Sequence, residues 1–419
     1  MSNYNLLEKK ISNFLKLNNT LHSFVKLFYQ RLSFFLNKEK NFKSNINQNC
    51  VLVNLDIDNS FYGYYDHTPW SKDMKHFILH LQEKERLKLN LYTFSNNKIS
   101  FKKTIISSKF YNFQQGLRPL WIDNNRIIFN QFLDEKLIST IYNIKDDSYL
   151  DLKFPVQEIS PKNNLIISMD YLKLDIINKD YGYGIKDKSI KNKIDGIIGY
   201  NYLENKYIFK LGSEFIHKLS QNKDLPISET EINHINHSPY DKSFLFIYRN
   251  RQSKGFSELF KYNYLNEDIE LLYSGKLMSH YCWINKNKIF TYLKHNNVNG
   301  FYEISTSNNV KINQEILVNV KDNYNDGHPS LSPNKKWIIY DSYPDKARKS
   351  RLYLIKNKKK AKKILIGTFY SPLNYYGYNR CDLHPRWSPN GELISFDSTH
   401  EGVRKTYLIK ISNILKKYE

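Results

Sequence analysis

The sequence is short of the features that mark the commoner enzyme and membrane classes. It has three cysteines, Cys50, Cys282 and Cys381, an odd number spread widely through 419 residues. No disulfide framework and no Cys-x-x-Cys metal pair follows from them, and a reducing compartment fits best. There is no Gly-rich phosphate loop before a helix, no His-Glu-x-x-His and no Gly-x-Ser-x-Gly elbow. Those absences remove the enzyme classes that the motifs define. The longest apolar N-terminal run is interrupted by Lys26 and Arg31, so it is too short and too charged to span a bilayer. It has no small-residue cleavage site, so it does not read as a secretory signal. No recognised RNA or DNA module is present, and lysine is scattered instead of forming one stripe, so nucleic acid is not an expected partner. The expected location is the cytoplasm, free or peripheral at the inner face of the membrane.

Charge and aromatic residues are plentiful. Lys and Arg number 63 against 41 Asp and Glu, a net charge of +22. Such a surface suits an acidic polymer, a nucleic acid or an anionic membrane, or it reflects lysine drift along the whole chain. The 33 tyrosines and 25 phenylalanines favour strands over helices.

One short pattern is stated twice near the C-terminus. The first copy runs from Asp326 through His328-Pro329 and Ser332-Pro333-Asn334 to the apolar stretch Trp337 to Tyr340. The second runs from Asp382 through His384-Pro385 and Ser388-Pro389-Asn390-Gly391 to Leu393 to Phe396. Aligned on the histidines, the copies lie 56 residues apart. Weaker copies surround Asp66/His67, Arg118, Ser160, His237 and His280, which makes seven units, mostly 42 to 56 residues apart. Four short strands per unit with polar turns between them predict a seven-bladed β-propeller, an all-β fold. The turn closes a hairpin, and alternating apolar residues of the next strand pack on the neighbouring blade. The strand Val51 to Ile57 is placed to complete the last blade beside Arg404 to Ile411.

Two segments stand outside the repeat. Residues 1–45 form a basic amphipathic helical extension, with a break at Asn18-Asn19-Thr20, ahead of a polar linker and a propeller over 46–419. Residues 5–37 of it are suited to a membrane surface, to a protein partner, or to packing on the propeller. The gap from Ser160 to His237 is 77 residues and holds an inter-blade insertion over about 171–205, with Asp180-Tyr181-Gly182-Tyr183-Gly184 and a Lys-rich run from Lys186 to Lys193. An insertion of this kind in a regular array is a candidate cover for the central channel.

Loops of successive blades converge at a propeller mouth, so His67, His237, His280, His328 and His384 are expected to share one region. Histidines with a carboxylate and an amide suit a divalent metal such as Mn, Fe or Zn. Asp382 and His384 are two apart and share one face of an extended segment, with Asn379 just before them and His328 approaching from the preceding blade. Asp66 and Asp326 are second candidates, as ligands or as groups that orient a histidine. Arg249, Arg251, Arg380 and Arg386 are candidate clamps for carboxylates.

The order His237-Ser238-Pro239, Ser279-His280-Tyr281-Cys282-Trp283, His328 with Ser332-Pro333, then Asp382-Leu383-His384-Pro385 with Ser388-Pro389-Asn390-Gly391 resembles the oligogalacturonate lyase family. Its members are seven-bladed propellers of the TolB/WD40-like type. The likeness covers about residues 230–412 closely and the earlier blades only as generic propeller. The resemblance implies a manganese site at His328, His384, Asp382 in place of a histidine, and Asn379 in place of a glutamine. It implies His280 as base, with Arg380 and His237 as further catalytic candidates and Arg249, Arg251, Arg386 and His67 against substrate. The implied reaction is β-elimination on an acidic, uronate-containing oligosaccharide or polysaccharide. Two other readings remain open: a non-catalytic scaffold or glycan-binding propeller beside surface-polysaccharide biosynthesis, and a hydrolase or transferase using Asp66, Asp326 or Asp382.

Overall fold

The Ser-Pro-Asn turn sets the geometry of the repeat. In the last unit the Ser388 hydroxyl donates to Asn390 Oδ1 at 2.7 Å, the Ser388 N–H bonds the Leu393 carbonyl at 2.9 Å, and Gly391 takes a φ of +74°. Ser332 and Asn334 repeat the side-chain bond at 2.7 Å with Lys335 at φ +60°, and Ser71 and Asp73 do so at 2.7 Å with Met74 at φ +57°. In these three units one left-handed residue reverses the chain, a place where glycine costs least.

The computed structural model describes residues 19–185, 191–251, 255–306, 312–313, 326–358 and 361–418. Seven antiparallel sheets follow one another along the chain, and together they form a seven-bladed β-propeller. Their second strands are His76–Glu83, Arg126–Leu133, Leu165–Met169, Ser243–Asn250, Lys288–His295, Trp337–Asp341 and Leu393–Ser398, for blades 1 to 7. Blade 7 takes its outermost strand, Val51–Asn54, from the start of the chain, with Val51 opposite Lys410 and Asn54 opposite Tyr407. Joining the two ends in one sheet closes the ring and leaves no seam between blades 7 and 1. The polar stretch around 41–49 is not a free linker: Ser44–Ile46 adds a fifth strand to blade 6, with Ser44 opposite Phe369.

Blades hold each other by apolar faces. Trp337, Ile339, Leu352 and Leu354 of blade 6 pack with Trp387, Ile394, Phe396 and Tyr407 of blade 7 in one buried cluster. Buried aspartates at the ends of the second strands add polar latches. Asp341 Oδ2 accepts the His384 N–H of the next blade at 3.0 Å, and Asp397 Oδ1 accepts the Tyr62 N–H of blade 1 at 3.2 Å. Both carboxylates sit where an unpaired charge would be costly, so these bonds also fix how adjacent blades register.

The extra length before blade 4 divides in two. Part lies inside blade 3, between Leu165–Met169 and Ile197–Asn201, which pair directly. This part carries helix α2 (Tyr171–Ile177), which Asp170 caps by accepting the Lys173 N–H. The rest follows Lys206–Leu211 and carries helix α3 (Ser213–Leu219). Residues 186–190 of the Lys-rich run lie outside the described residues, as does the first N-terminal helix expected before Asn18. Helix α1 (Asn19–Asn37) is the described part of the N-terminal extension. No described helix is long and apolar enough to cross a membrane.

Candidate functional site

The innermost strands line a central channel with two mouths. Around the first is a cleft of about 700 Å³ whose wall includes Arg249, Arg251, His280, Asp326, Arg380 and Asp382. Around the second is a smaller one of about 450 Å³, with His67, Trp121, Arg386 and Trp387 in its wall.

Imidazoles from four consecutive blades form a buried row behind the first mouth, of which His280 lines the cleft. Ring centroids are 5.1 Å apart between His234 and His280, 4.0 Å between His280 and His328, and 4.3 Å between His328 and His384. Tyr64 and Tyr65 of blade 1 cap the row: Tyr64 lies 5.0 Å from His384 and 5.7 Å from His234, and Tyr65 lies 5.2 Å from His328.

The hydrogen bonds assign the ring protons. His384 Nδ1 stands 2.8 Å from the Gly63 carbonyl, an acceptor, so Nδ1 carries the proton and Nε2 the lone pair. His328 Nδ1 faces both oxygens of Asp341 at 2.9 and 3.0 Å, which again leaves Nε2 pointing away. Both Nε2 atoms are buried with no hydrogen-bond partner among the described residues. Ligand atoms of His328, His384 and Asp382 lie within 4.8 Å of one another. Two orphaned imidazole nitrogens beside a carboxylate, with each Nδ1 tied to a carbonyl or carboxylate, is a donor set that fits a divalent cation.

Protonation follows the surroundings. Burial, then the neighbouring His328, push the His280 imidazole down to about 4. His384 is held well below the ordinary histidine value, by burial and then by His328. His328 is raised: burial opposes its charge, but the Asp341 carboxylate outweighs that cost. Burial pushes the Cys381 thiol up to about 12, so it stays protonated in the cleft wall at neutral pH.

The structure brings His280, His328, His384 and Asp382 together, with Arg249, Arg251 and Arg380 in the surrounding wall. Arg380 Nε donates to Asp382 Oδ2 at 2.8 Å, and its Nη1 pairs with Asp180 of the blade 3 insertion. That insertion therefore reaches the mouth, where Tyr181 also lines the cleft. Arg249 Nε donates to Glu231 Oε1 at 2.6 Å and Arg251 Nε to the same oxygen at 3.1 Å, which orients both guanidinium groups.

Four expected members lie elsewhere. His67 Nε2 is 3.0 Å from Glu158 Oε1, and His237 Nε2 is 2.9 Å from the Tyr264 hydroxyl, both away from the imidazole row. Arg386 lines the second mouth, donating to the Tyr64 carbonyl at 3.0 Å and to Asp397 at 2.7 Å. The Asn379 amide oxygen accepts from Arg404 at 3.0 Å, and Asn379 is not part of the cleft wall. The physical reason for His237 is local. A register shift between Asn233 and Asn236 and a left-handed His234, at φ +52°, turn His234 into the row instead.

His234, Asp341, Tyr64 and Tyr65 were not singled out from the sequence, although the first two left a signal. His328 and His384 each stand four residues before the turn serine, and the same count back from Ser238 reaches His234. Asp341 and Asp397 are 56 residues apart in matching Tyr-Asp-Ser and Phe-Asp-Ser runs. The count fails at blade 1: it selects His67, but Gly63 at φ +129° redirects the chain there, and Tyr64 and Tyr65 occupy the channel. The remaining polar group in the row is settled by His234, whose Nε2 accepts from Arg249 Nη2 at 3.0 Å and whose Nδ1 donates to the Tyr64 hydroxyl at 2.8 Å.

Solved structures with this architecture exist at very low sequence identity. An oligogalacturonate lyase from Vibrio parahaemolyticus is similar over 91% of this chain and 100% of its own, with a TM-score of 0.58 and 11% identity. An oligogalacturonate lyase in complex with manganese is similar over 89% and 98%, with a TM-score of 0.57 and 9% identity. Identity at that level establishes a common fold and no more. No family model and no curated protein matches the sequence.

Proposed function

We propose that the first mouth is a metal-dependent lyase site for an acidic, uronate-containing oligosaccharide, acting inside the cell. The observation that carries this reading is the pair of buried Nε2 atoms of His328 and His384, unpartnered among the described residues, beside Asp382, which lines an arginine-walled cleft. The likeness to a manganese-bound lyase structure supports it.

His328, His384 and Asp382 would hold the cation, with Asp341 and the Gly63 carbonyl fixing the two rings. A divalent cation held there would supply charge, neutralising the uronate carboxylate and acidifying the neighbouring C5–H. Arg249, Arg251 and Arg380 bind and orient the carboxylates of the chain. His280 is the base. Its Nδ1 faces Ser279 Oγ at 2.8 Å and Asp326 Oδ1 at 3.4 Å, and the tautomer with its proton on Nδ1 has the lone pair on Nε2. Because burial holds it neutral at physiological pH, it is ready to accept a proton without first losing one. As Nε2 takes the C5 proton, the C–H electrons form the C4–C5 double bond and the C4–O bond breaks. The departing oxygen takes a proton from water in the open cleft.

Elemental analysis of the purified protein beside the His328→Ala/His384→Ala double variant tests this. The expected result is about one equivalent of Mn, Fe or Zn in the wild type and none in the variant, with an ultraviolet-absorbing unsaturated product from uronate oligomers only in the first. Absence of metal from both under every loading condition sinks the lyase reading and leaves a glycan-binding scaffold. A saturated product would indicate hydrolysis instead.

A further inference from the structure

Helix α1 lies at the first mouth in an unusual orientation. Its partly polar side faces the propeller: Tyr29, Gln30 and Ser33 line the cleft wall, and Phe34 stacks on Tyr370 with centroids 5.9 Å apart. Its apolar side faces out. Phe28 is 61% exposed, Leu32 48%, Phe35 67% and Leu36 72%, and nothing among the described residues covers them. The spacing of 28, 32, 35 and 36 sets these four side chains in one stripe along the helix. An isolated exposed leucine is ordinary, but a continuous stripe of large apolar side chains on a helix marks a docking face.

The charge around the stripe selects the occupant. Helix α1 contains no Asp or Glu. Arg31 and Lys38 are exposed beside the stripe, with Lys40 close behind, and Lys38 Nζ lies 5.0 Å from the Phe35 ring. Glu39, the nearest acid, is already paired with Lys349. A second copy of a chain carrying +22 would be repelled from this face. An anionic lipid surface is attracted to it, and its acyl boundary takes the apolar side chains. We infer that α1 docks on an anionic membrane surface and seats the first mouth of the propeller against it.

The glycan handled by the cleft is then one presented at that surface. This second step rests on the proposed function, whereas docking itself does not. The test uses the full chain with vesicles of phosphatidylcholine, alone or with 30% phosphatidylglycerol by design, in a flotation assay at about 0.1 M salt. The chain should float with the anionic vesicles and stay behind with the neutral ones. The Phe28→Ser/Leu32→Ser/Phe35→Ser/Leu36→Ser variant should lose at least about a hundredfold in partitioning, since each buried side chain of this size is worth on the order of tenfold. The four positions are exposed, so an unchanged thermal unfolding midpoint certifies that the variant is folded. A Phe35→Trp variant adds an independent readout, a blue-shifted emission quenched by brominated lipid. Equal partitioning of wild type and quadruple variant overturns the inference, as does a lack of vesicle binding. A wild-type dimer in sedimentation that the quadruple variant abolishes also overturns it, in favour of a second copy. The His328→Ala/His384→Ala variant should float normally, so failure of the metal site and failure of docking are separable.

Discussion

The two mouths of the channel are built from the same residue types on the same repeat, yet among the described residues only the first leaves buried imidazole nitrogens open. At the second mouth His67 closes on Glu158 at 3.0 Å, and both oxygens of Asp66 are taken by Arg118 at 2.8 and 2.6 Å. Asp66, His67 and Glu158 also lie within 4.8 Å of one another, so proximity alone does not separate this group from His328, Asp382 and His384. What separates them is satisfaction. At the first mouth two imidazole nitrogens are buried and unpartnered, a state that costs stability unless something fills it.

That contrast breaks most easily at Asp341. Asp341→Asn keeps an acceptor for one backbone N–H but no longer balances the His328 ring proton, so the ring can turn or change tautomer. Metal affinity should fall by about 10- to 100-fold, measured by competition with a chromogenic chelator. Stability should fall as well, by roughly 1–3 kcal/mol, because the carboxylate also joins blades 6 and 7. An unchanged affinity would mean that His328 is not a ligand.

A pH profile sharpens the same comparison through the base. Because His280 is held down to about 4, kcat/KM on uronate oligomers, measured at saturating metal so that protonation of His328 does not enter, should stay level from neutral pH down to that region and then fall tenfold per unit. An acid limb near 6.5, the ordinary imidazole value, that persists at saturating metal would remove His280 from the role of base.

The smallest effect belongs to the second mouth. His67→Gln should leave metal content and turnover unchanged and cost about 1 kcal/mol of stability in mild acid. Burial works against the His67 charge, but Glu158 raises its pKa above the ordinary value. The ion pair therefore contributes fully below about pH 6.5 and is lost as pH rises through the folded value. Urea midpoints of wild type and variant should converge between pH 5.5 and pH 9. A loss of metal in this variant would show that the two mouths are not independent.

Particular residues show how far the sequence could be read. The blade count was legible because Ser332-Pro333-Asn334 and Ser388-Pro389-Asn390 close the same turn through the same bond, and a repeated local bond leaves a repeated local signature. That the strand near Val51 completes the last blade beside Arg404 to Ile411 was legible as well, since a ring of blades leaves the last sheet one strand short. His234 was hidden by a one-blade irregularity. The eye aligns it on His237, next to Ser238-Pro239, while a register shift and one left-handed residue move the ring three positions upstream. Asn379 next to an Asp-x-His run reads as a ligand until Arg404, 25 residues away, claims its amide oxygen.

By itself the sequence determined seven blades, their turns and the sharing of one sheet between both ends of the chain. These depend on periodicity and on bonds within a few residues. Tertiary structure alone decided which histidines meet, which nitrogens stay open, and that α1 turns its apolar stripe away from the propeller. Those outcomes depend on partners such as Gly63 for His384, 321 residues distant in the chain, and spacing along a strand carries no information about them.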